Sequence, residues 1–124
     1  MNAFSNILTI FCIVVVSHIS MAQTTSTGKA SYYSDSLQGA PTASGSLYNK
    51  EALTAAHLTL PFNTLVRVTN LSNDKSVVVV INDRGPYTKR RIIDLSRAAA
   101  EEIDLIDQGV SKVKLEVIEN YFSR

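Results

Sequence analysis

Two consecutive strand patterns joined by turn residues constrain the fold of this chain more than any other feature. Residues 64–69 (TLVRVT) alternate apolar and polar side chains with the period of a half-buried strand. Residues 77–81 (VVVVI) are five successive β-branched side chains, and the stretch between them, 70–76 (NLSNDKS), is rich in turn formers. We therefore expect a β-hairpin. The second run favours a strand buried on both faces, as in a small closed barrel, although periodicity alone also permits a buried helix.

The rest of the chain adds short strands, a long loop and one helix. Strand patterns occur at residues 30–33, 92–95 and 110–118. In the last of these, apolar and charged side chains alternate, which predicts one solvent-facing side. Ser96 is the expected N-cap of a helix over residues 97–103 (RAAAEEI) that ends before Gly109. Gly and Pro interrupt residues 34–47, which predicts a long irregular loop.

The N-terminal segment has the features of a secretory signal. Residues 7–16 (ILTIFCIVVV) are strongly apolar but shorter than the ~20 residues that a bilayer span needs. Ser20 and Ala22 supply small residues for cleavage after Ala22, and the alternative is an uncleaved anchor. Cys12 lies inside the apolar run and not at its end, so lipidation is not expected. We expect a periplasmic or secreted protein with no stable membrane anchor after removal of residues 1–22.

Length and charge exclude several classes of protein. At 124 residues the chain has room for one domain, expected at residues 29–119 between a flexible lead-in (23–28) and a C-terminal tail (120–124). The formal net charge is only +1, so a nucleic acid partner is not expected. Two histidines, one cysteine and no Gly-rich phosphate loop argue against a metal or another cofactor. The chain has no heptad pattern, and a monomer is expected.

One segment has the composition of a catalytic strand end. Asp83 directly follows the β-branched run, and Gly85 and Pro86 form a turn that redirects the backbone. A carboxylate placed there can face a cleft and act as a general acid. The simpler interpretation is that Asp83 pairs with Arg84 or caps the turn.

Three other features allow two interpretations each. His57, which follows small residues (LTAA), is either a site residue or a hydrogen-bonded structural histidine. Tyr32 and Tyr33 are adjacent in a predicted strand, so we expect one ring to pack inward and the other to be available to a sugar or peptide. Residues 89–91 (KRR) are either a solvated loop or a contact for an anionic polymer.

Six sequence blocks, taken in order, closely resemble the RlpA (rare lipoprotein A) family. They are GKASYY at 28–33, TASG at 42–45, LTAAH at 53–57, VRVTN at 66–70, NDRGP at 82–86 and RIIDLS at 91–96. The resemblance implies a mainly β fold, a six-stranded double-psi β-barrel with one short α-helix, which is also seen in expansins and some endoglucanases. It further implies an envelope enzyme, a lytic transglycosylase that cleaves peptidoglycan glycan strands and prefers strands without stem peptides.

The sequence departs from the family pattern at three points. The family commonly has a lipobox, which Cys12 does not form, and many members carry a C-terminal SPOR domain that we do not expect here. After Thr-Ala-x-Gly the family usually has Glu, whereas this chain has Ser46. Glu51 is the nearest carboxylate in sequence, and it would replace the family Glu only if the barrel placed it differently.

The resemblance also implies roles for individual residues. Related barrel-type lytic transglycosylases are thought to use a single Asp, at the position that Asp83 resembles. The nucleophile is the C6 hydroxyl of the reacting sugar itself. We therefore expect Asp83 as the acid/base and His57 as the second catalytic residue, with His57 and Ser46 holding substrate or orienting Asp83. The expected substrate contacts are Ser46, Tyr33, Tyr32, Arg84 and Asn82.

Two other functions remain open at the level of sequence. The missing family Glu favours a non-catalytic, expansin-like barrel that binds glycan without cleaving it. Asp83, Arg84 and Gly85 also resemble the Asp-Thr/Ser-Gly motif of aspartic proteases, whose chemistry requires two carboxylates. One chain supplies one such motif, so that function would require a homodimer.

Overall fold

The computed structural model describes residues 24–119 of the chain. The expected signal segment, its cleavage site and Cys12 lie outside these residues, as does the C-terminal tail. Within residues 24–119, no helix has both the length and the apolar character needed to cross a membrane.

Six strands form a closed barrel, and the chain between them contributes one α-helix. The strands are β1 (Thr25–Tyr32), β2 (Thr54–Ala56), β3 (Leu65–Asn70), β4 (Ser76–Asp83), β5 (Arg91–Leu95) and β6 (Ser111–Glu119). The helix α1 spans Arg97–Glu102, and a single 3₁₀ turn spans Asp35–Leu37. The order around the barrel is β1-β5-β2-β4-β3-β6, and β6 pairs with β1 to close it. The expectation of a mainly β, six-stranded barrel with one short helix is confirmed.

The barrel contains both parallel and antiparallel neighbours. β1 runs parallel to β5 and β2 runs parallel to β4, whereas the other four pairs are antiparallel. The predicted hairpin is the β3–β4 pair, with Val66 opposite Val79. The two parallel pairs require long connections, which here are the chain segments that carry the loops around the site.

The barrel interior is filled by aliphatic side chains at alternate strand positions. The largest of these are Val66, Val68, Val79, Ile81, Ile93, Leu95, Val113 and Leu115. The expectation that residues 77–81 are buried on both faces is wrong, because the outer face of β4 is the outside of the barrel wall. Val77 and Val79 face the core, whereas Val78 between them is 39% exposed.

The chain enters the barrel earlier than the sequence predicts, and one strand was not predicted. The lead-in expected at residues 23–28 is wrong from Thr25 onward, because Thr25 pairs with Glu116 of β6 and Gly28 with Val113. These residues bury little side chain, so hydropathy does not mark them, and the backbone ladder to β6 holds them in the sheet. β2 consists of only three small residues and carries no alternation that would predict it.

The N-cap of α1 is where it was predicted. The Ser96 Oγ accepts a hydrogen bond from the Ala99 N–H at 3.2 Å and donates one to the Ala52 carbonyl at 2.6 Å. Ala99 and Ala100 are fully buried against the barrel. The helix ends at Glu102, before Gly109, as expected.

A fully buried asparagine joins three parts of the barrel. Asn70 ends β3, and its Nδ2 donates to the Ile103 carbonyl at 2.9 Å and to Gln108 Oε1 at 3.2 Å. Its Oδ1 accepts from the hydroxyls of Ser72 at 2.7 Å and Ser111 at 2.9 Å. The amide thereby connects the β3–β4 turn, the segment after α1 and the start of β6. Because the Asn70 side chain is fully buried, its polar atoms need these partners.

We expect Asn70→Ala to lower the free energy of unfolding by about 2–4 kcal/mol, because it removes a fully buried amide together with its hydrogen bonds. Asn73→Ala is a matched control, since the exposed Asn73 amide donates to the same Ile103 carbonyl at 3.0 Å. Its expected cost is below about 1 kcal/mol. Urea denaturation measures both values, and equal losses would contradict the structural role of Asn70.

Candidate active site

The carboxylate of Asp83, at the end of β4, is held by three hydrogen-bond donors. Its Oδ1 accepts from the backbone N–H groups of Ala43 at 2.8 Å and Arg84 at 2.9 Å. Its Oδ2 accepts from the Tyr33 hydroxyl. The carboxylate is therefore fixed in one orientation, by groups that carry no net charge.

Ring stacking positions Tyr33, which immediately follows β1. Its ring stacks on Tyr48 with centroids 4.4 Å apart, and the Tyr48 hydroxyl accepts from the Arg97 N–H at 3.1 Å. Burial, reinforced by the hydrogen bond to Asp83, raises the pKa of the Tyr33 hydroxyl. The Tyr33 hydroxyl therefore stays protonated and donates a hydrogen bond to the Asp83 carboxylate. A continuous set of contacts runs from the start of α1 through two rings to Asp83.

Strand register brings a second carboxylate to the same face of the sheet. Asp83 on β4 lies opposite Ala56 on β2. Ala56 also lies opposite Asp94 on β5, and Asp94 lies opposite Ser31 on β1. These four residues form one row across four strands, which we call the outer row. Two strand spacings separate Asp83 from Asp94, or about 10 Å between Cα atoms. The small side chain of Ala56, which lies between them, is buried.

Asp94 has its own set of partners. The Ser31 hydroxyl donates to Asp94 Oδ1, and Arg91 Nη1 donates to Ser31 Oγ at 2.6 Å and lies 3.8 Å from Asp94 Oδ1. The sequence analysis missed Asp94 as a site residue. A signal was available, because a carboxylate between the apolar Ile93 and Leu95 of a predicted strand must face away from the core.

An open cleft of about 450 Å³ lies along the outer row. Its lining includes four of the predicted site residues together with two that were not predicted: Tyr32, Tyr33, Asp83, Arg84, Asp94 and Tyr87. Within residues 24–119, the predicted residues His57, Ser46 and Asn82 do not belong to this lining. The structure therefore divides the predicted site into a cleft group and a flanking group.

The two adjacent tyrosines point in opposite directions, as expected. The Tyr32 ring packs against the core, and its hydroxyl donates to the Ile106 carbonyl at 3.0 Å. Tyr33 faces the carboxylate. Tyr32 borders the cleft, but its polar end is already satisfied inside the protein.

His57 has the contacts of a structural histidine. Its backbone N–H donates to the Asp83 carbonyl at 3.1 Å, and its ring Nδ1 accepts from the N–H groups of Thr59 and Leu60, both at 3.1 Å. These donors place the ring proton on Nε2. Burial, with the Arg84 guanidinium as the second cause, lowers the pKa of His57. Among the hydrogen bonds of residues 24–119, none joins its ring to the Asp83 carboxylate.

The Arg84 guanidinium supports the His57 loop. Its Nη1 donates to the carbonyls of His57 at 3.2 Å and Leu60 at 2.8 Å, and its Cζ lies 4.1 Å from the centroid of the Phe62 ring. Among the ion pairs of the described part of the chain, none joins Arg84 to Asp83. The simpler interpretation of Asp83 as the partner of the Arg84 side chain is therefore wrong. Only the Arg84 backbone N–H contacts it.

Ser46 lies in a cluster of hydroxyl groups next to the site. The side-chain oxygens of Thr42, Ser44 and Ser46 lie within 3.0 Å of one another, and Asn82 Nδ2 lies 3.5 Å from Ser46 Oγ. The Ser44 N–H donates to the Asn82 carbonyl at 3.2 Å, which docks this loop on β4 and brings the Ala43 N–H to Asp83. In the described residues Ser46 supports this loop and makes no hydrogen bond to the carboxylate.

Glu51 does not replace the family Glu. It lines a separate cavity with Lys50, Arg97 and Glu101, apart from the cleft at Asp83. Residues 24–119 contain no group of three or more His, Cys, Asp or Glu side chains arranged to hold a metal ion.

Comparisons with known proteins agree with this fold and identify the family. A family model described as lytic transglycolase matches residues 25–115. The endolytic peptidoglycan transglycosylase RlpA of Campylobacter jejuni is 53% identical over 94 residues, which are 76% of this chain and 34% of that protein. The protein of the same name from Pasteurella multocida is 58% identical over 92 residues, 74% of this chain and 31% of that protein. The chain therefore belongs to the RlpA family of double-psi β-barrel proteins, and it spans about a third of the length of these curated relatives.

Solved structures share the fold at lower identity. The Streptomyces papain inhibitor is similar with a TM-score of 0.63 and 25% identity, covering 77% of this chain and 96% of the inhibitor. The expansin of Clavibacter michiganensis has a TM-score of 0.60 and 17% identity, covering 78% of this chain and 52% of the expansin. At 17% identity, the similarity to the expansin is evidence only for a shared fold.

We expect the stability of the protein to fall as the pH drops below about 6.5, in part because of His57. The unfolded chain binds a proton on His57 near its ordinary pKa of 6.5, whereas the folded chain binds it only at lower pH. In His57→Asn the amide oxygen can accept the same loop N–H groups but does not titrate. Thermal unfolding between pH 7.5 and 5 should show a steeper loss for the native protein, and parallel curves would contradict this.

Proposed function

We propose that this protein is an endolytic lytic transglycosylase of peptidoglycan with Asp83 as its acid/base. The single observation that carries the proposal is the Asp83 carboxylate, held by three donors at an open cleft in a barrel of the RlpA family. The bond cleaved is the β-1,4 bond between N-acetylmuramic acid and N-acetylglucosamine. The expected substrate is glycan without stem peptides.

The reaction needs one proton donor that is regenerated. The Asp83 carboxyl group protonates the glycosidic oxygen, and the bond from that oxygen to C1 of the muramic residue breaks. The C6 hydroxyl of the same residue then attacks C1 and returns its proton to the carboxylate, which leaves a 1,6-anhydro end. No external water is consumed. Because the nucleophile is tethered to the reacting ring, proximity replaces the second carboxylate that a hydrolase uses to activate water.

The hydrogen bonds around Asp83 support this role. The Tyr33 hydroxyl and the two backbone N–H groups hold the carboxylate in the orientation needed to reach a bound sugar, without placing a cation beside it. Asp94, on the same outer row, is paired with Ser31 and Arg91 and offers a second polar contact for substrate. His57 and Ser46 shape the two loops that border Asp83.

A second candidate function is glycan binding without cleavage, and Ser46 favours it. This chain has a hydroxyl where the family usually has a carboxylate, and that hydroxyl bonds to its neighbours Thr42 and Ser44. If the family Glu is required for chemistry, the cleft remains as a binding surface. The two functions differ in a single product, the 1,6-anhydro end.

We also propose that the protein is exported. The apolar run at residues 7–16 and the small residues Ser20 and Ala22 support this proposal. Export would bring the cleft into contact with the cell wall.

We expect the native chain to release anhydromuramyl products from peptide-free glycan strands and from intact sacculi. Asp83→Asn should lower the rate by ~10²-fold to 10⁴-fold, because it removes the acid/base. Mass spectrometry of the soluble products measures both, with Asp94→Asn and Ser46→Glu in parallel. Full activity of Asp83→Asn together with its loss in Asp94→Asn would transfer the acid/base role to Asp94. Activity that appears only in Ser46→Glu would favour the binding function for the native chain.

We expect Tyr33→Phe to lower kcat by about 10-fold to 100-fold with a smaller change in KM, because the ring stack remains while the donor to Asp83 is lost. Tyr32→Phe is the matched control, since its hydroxyl bonds to the Ile106 carbonyl and not to the carboxylate. Steady-state kinetics on glycan strands compares the two. Equal effects would show that the Tyr33 hydroxyl does not position Asp83.

A further inference from the structure

A tyrosine at the mouth of the cleft has a degree of exposure that folding does not explain. Tyr87 is 82% exposed, the highest value among the exposed large hydrophobic side chains of residues 24–119, and it lines the same cleft as Asp83. An aromatic ring buries ~150–250 Å² when it is covered, so one left in water beside a cleft offers a large contact area to a ligand. The faces of sugar rings present C–H groups that pack on aromatic rings.

The backbone that leads to this ring is buried. Gly85 and Pro86 are buried, and a Cβ added at Gly85 would lie 3.7 Å from the Tyr87 ring, within ordinary contact distance. Gly85 has a φ of 126°, which favours glycine, so the chain leaves the end of β4 in a fixed direction. The ring is therefore displayed by an anchored segment.

Two cations follow Tyr87 in the turn between Thr88 and Arg91, which both line the cleft, whereas Lys89 and Arg90 themselves lie just outside the lining. Lys89 and Arg90 are exposed, and the ion pairs of residues 24–119 include neither of them. Their turn is held from both sides, because the Arg91 N–H donates to the Thr88 carbonyl at 3.3 Å and the Lys29 N–H donates to the Arg90 carbonyl at 3.0 Å. The sequence analysis left open whether these cations belong to a solvated loop or contact an anionic polymer.

Arg90 occupies a position where folding alone would favour glycine. Its φ is 76°, in the left-handed region that is unfavourable for a residue with a side chain. Glycine at position 90 would remove the backbone strain, but the chain has an arginine there. Backbone strain that is retained in this way is typical of positions where the side chain has a function.

From these observations we propose that residues 87–90 form a glycan-recognition rim, selective for sugars that carry a free carboxylate. The Tyr87 ring packs on the face of a sugar, while Lys89 and Arg90 pair with the carboxylate of the lactyl group of a muramic residue. The inference rests on the proposed function for its substrate class. A stem peptide converts the lactyl carboxylate into a neutral amide, so the rim distinguishes peptide-free strands from substituted ones by charge.

The test measures binding and not turnover. The full chain carrying Asp83→Asn is titrated with three probes: peptide-free glycan strands, peptide-bearing strands and neutral chitin oligomers. The expected order of affinity is peptide-free glycan above both others. If peptide-bearing strands bind as tightly as peptide-free strands, the carboxylates of the peptide are sufficient and the lactyl assignment is overturned.

Variants separate the ring from the charges. Tyr87→Ala is expected to weaken binding of peptide-free glycan and chitin alike by ~10-fold, whereas Tyr87→Phe keeps the affinity. Lys89→Ala and Arg90→Gly are each expected to weaken only peptide-free glycan, by ~3-fold at low salt and less at high salt. Arg90→Gly also relieves the left-handed strain, so its melting temperature should be unchanged or higher while its affinity falls.

Controls outside the cleft make the result decisive. Leu71→Ala removes an exposed apolar side chain and Lys112→Ala an exposed cation, and neither residue lines the cleft. Effects of Tyr87→Ala or Arg90→Gly no larger than these controls would overturn the rim. If the native chain makes no anhydro products but the rim variants behave as expected, the proposed enzyme activity fails and the rim stands. If anhydro products form and the rim variants bind glycan like the controls, the enzyme activity stands and the rim is overturned.

Discussion

Closure of the sheet is the constraint on which the rest of this structure depends. Because β6 pairs with both β1 and β3, every strand has two neighbours, and the register at each seam limits the register at the others. Aliphatic residues at alternate positions then fill the interior. Ser31 and Asp94 lie between such positions and point away from the interior. Asp83 lies two residues after the core residue Ile81, and it joins them on Ala56 because the register between β2 and β4 shifts there. The carboxylates of the cleft therefore meet through core packing at Asp94 and a register irregularity at Asp83.

The two carboxylates of the outer row are placed in different electrostatic surroundings. Asp83 accepts hydrogen bonds from two backbone N–H groups and from a tyrosine hydroxyl whose pKa is raised by burial. Asp94 accepts from Ser31 and lies near a guanidinium, that of Arg91. The two carboxylates therefore differ in their partners. The proposed function uses Asp83 alone, which has no cationic partner among the ion pairs of residues 24–119.

The departure at Ser46 concerns the loop beside the site more than the carboxylate itself. The donor that this loop supplies to Asp83 is the backbone N–H of Ala43, which does not depend on the side chain at position 46. The hydroxyls of Thr42, Ser44 and Ser46 satisfy one another and keep the loop folded against β4. The hydrogen bonds of the Asp83 carboxylate therefore do not involve the side chain at position 46, where the sequence departs from the family pattern. This is why product analysis, and not further comparison of folds, distinguishes cleavage from binding.

Local pattern was sufficient for most elements of this protein and for its central carboxylate. The β3–β4 hairpin, the N-cap at Ser96, the amphipathic β6 and the position of Asp83 at a strand end all follow from side-chain period and turn chemistry. The ordered sequence blocks identified the family. The start of β1 and the strand β2 could not be predicted from the sequence. Their residues are small or polar and show no apolar alternation, and backbone hydrogen bonds hold them in the sheet.

The membership of the site was decided by the tertiary structure. Asp94 and Tyr87 reach the cleft through strand register and an anchored turn, and Arg84 and His57 are drawn into the support of a loop. Hydropathy records whether a residue faces the core, but it does not record which strand will lie beside it. The contacts among Tyr33, Asp83 and Ala43 join residues far apart in the chain, and closure of the barrel brings them together.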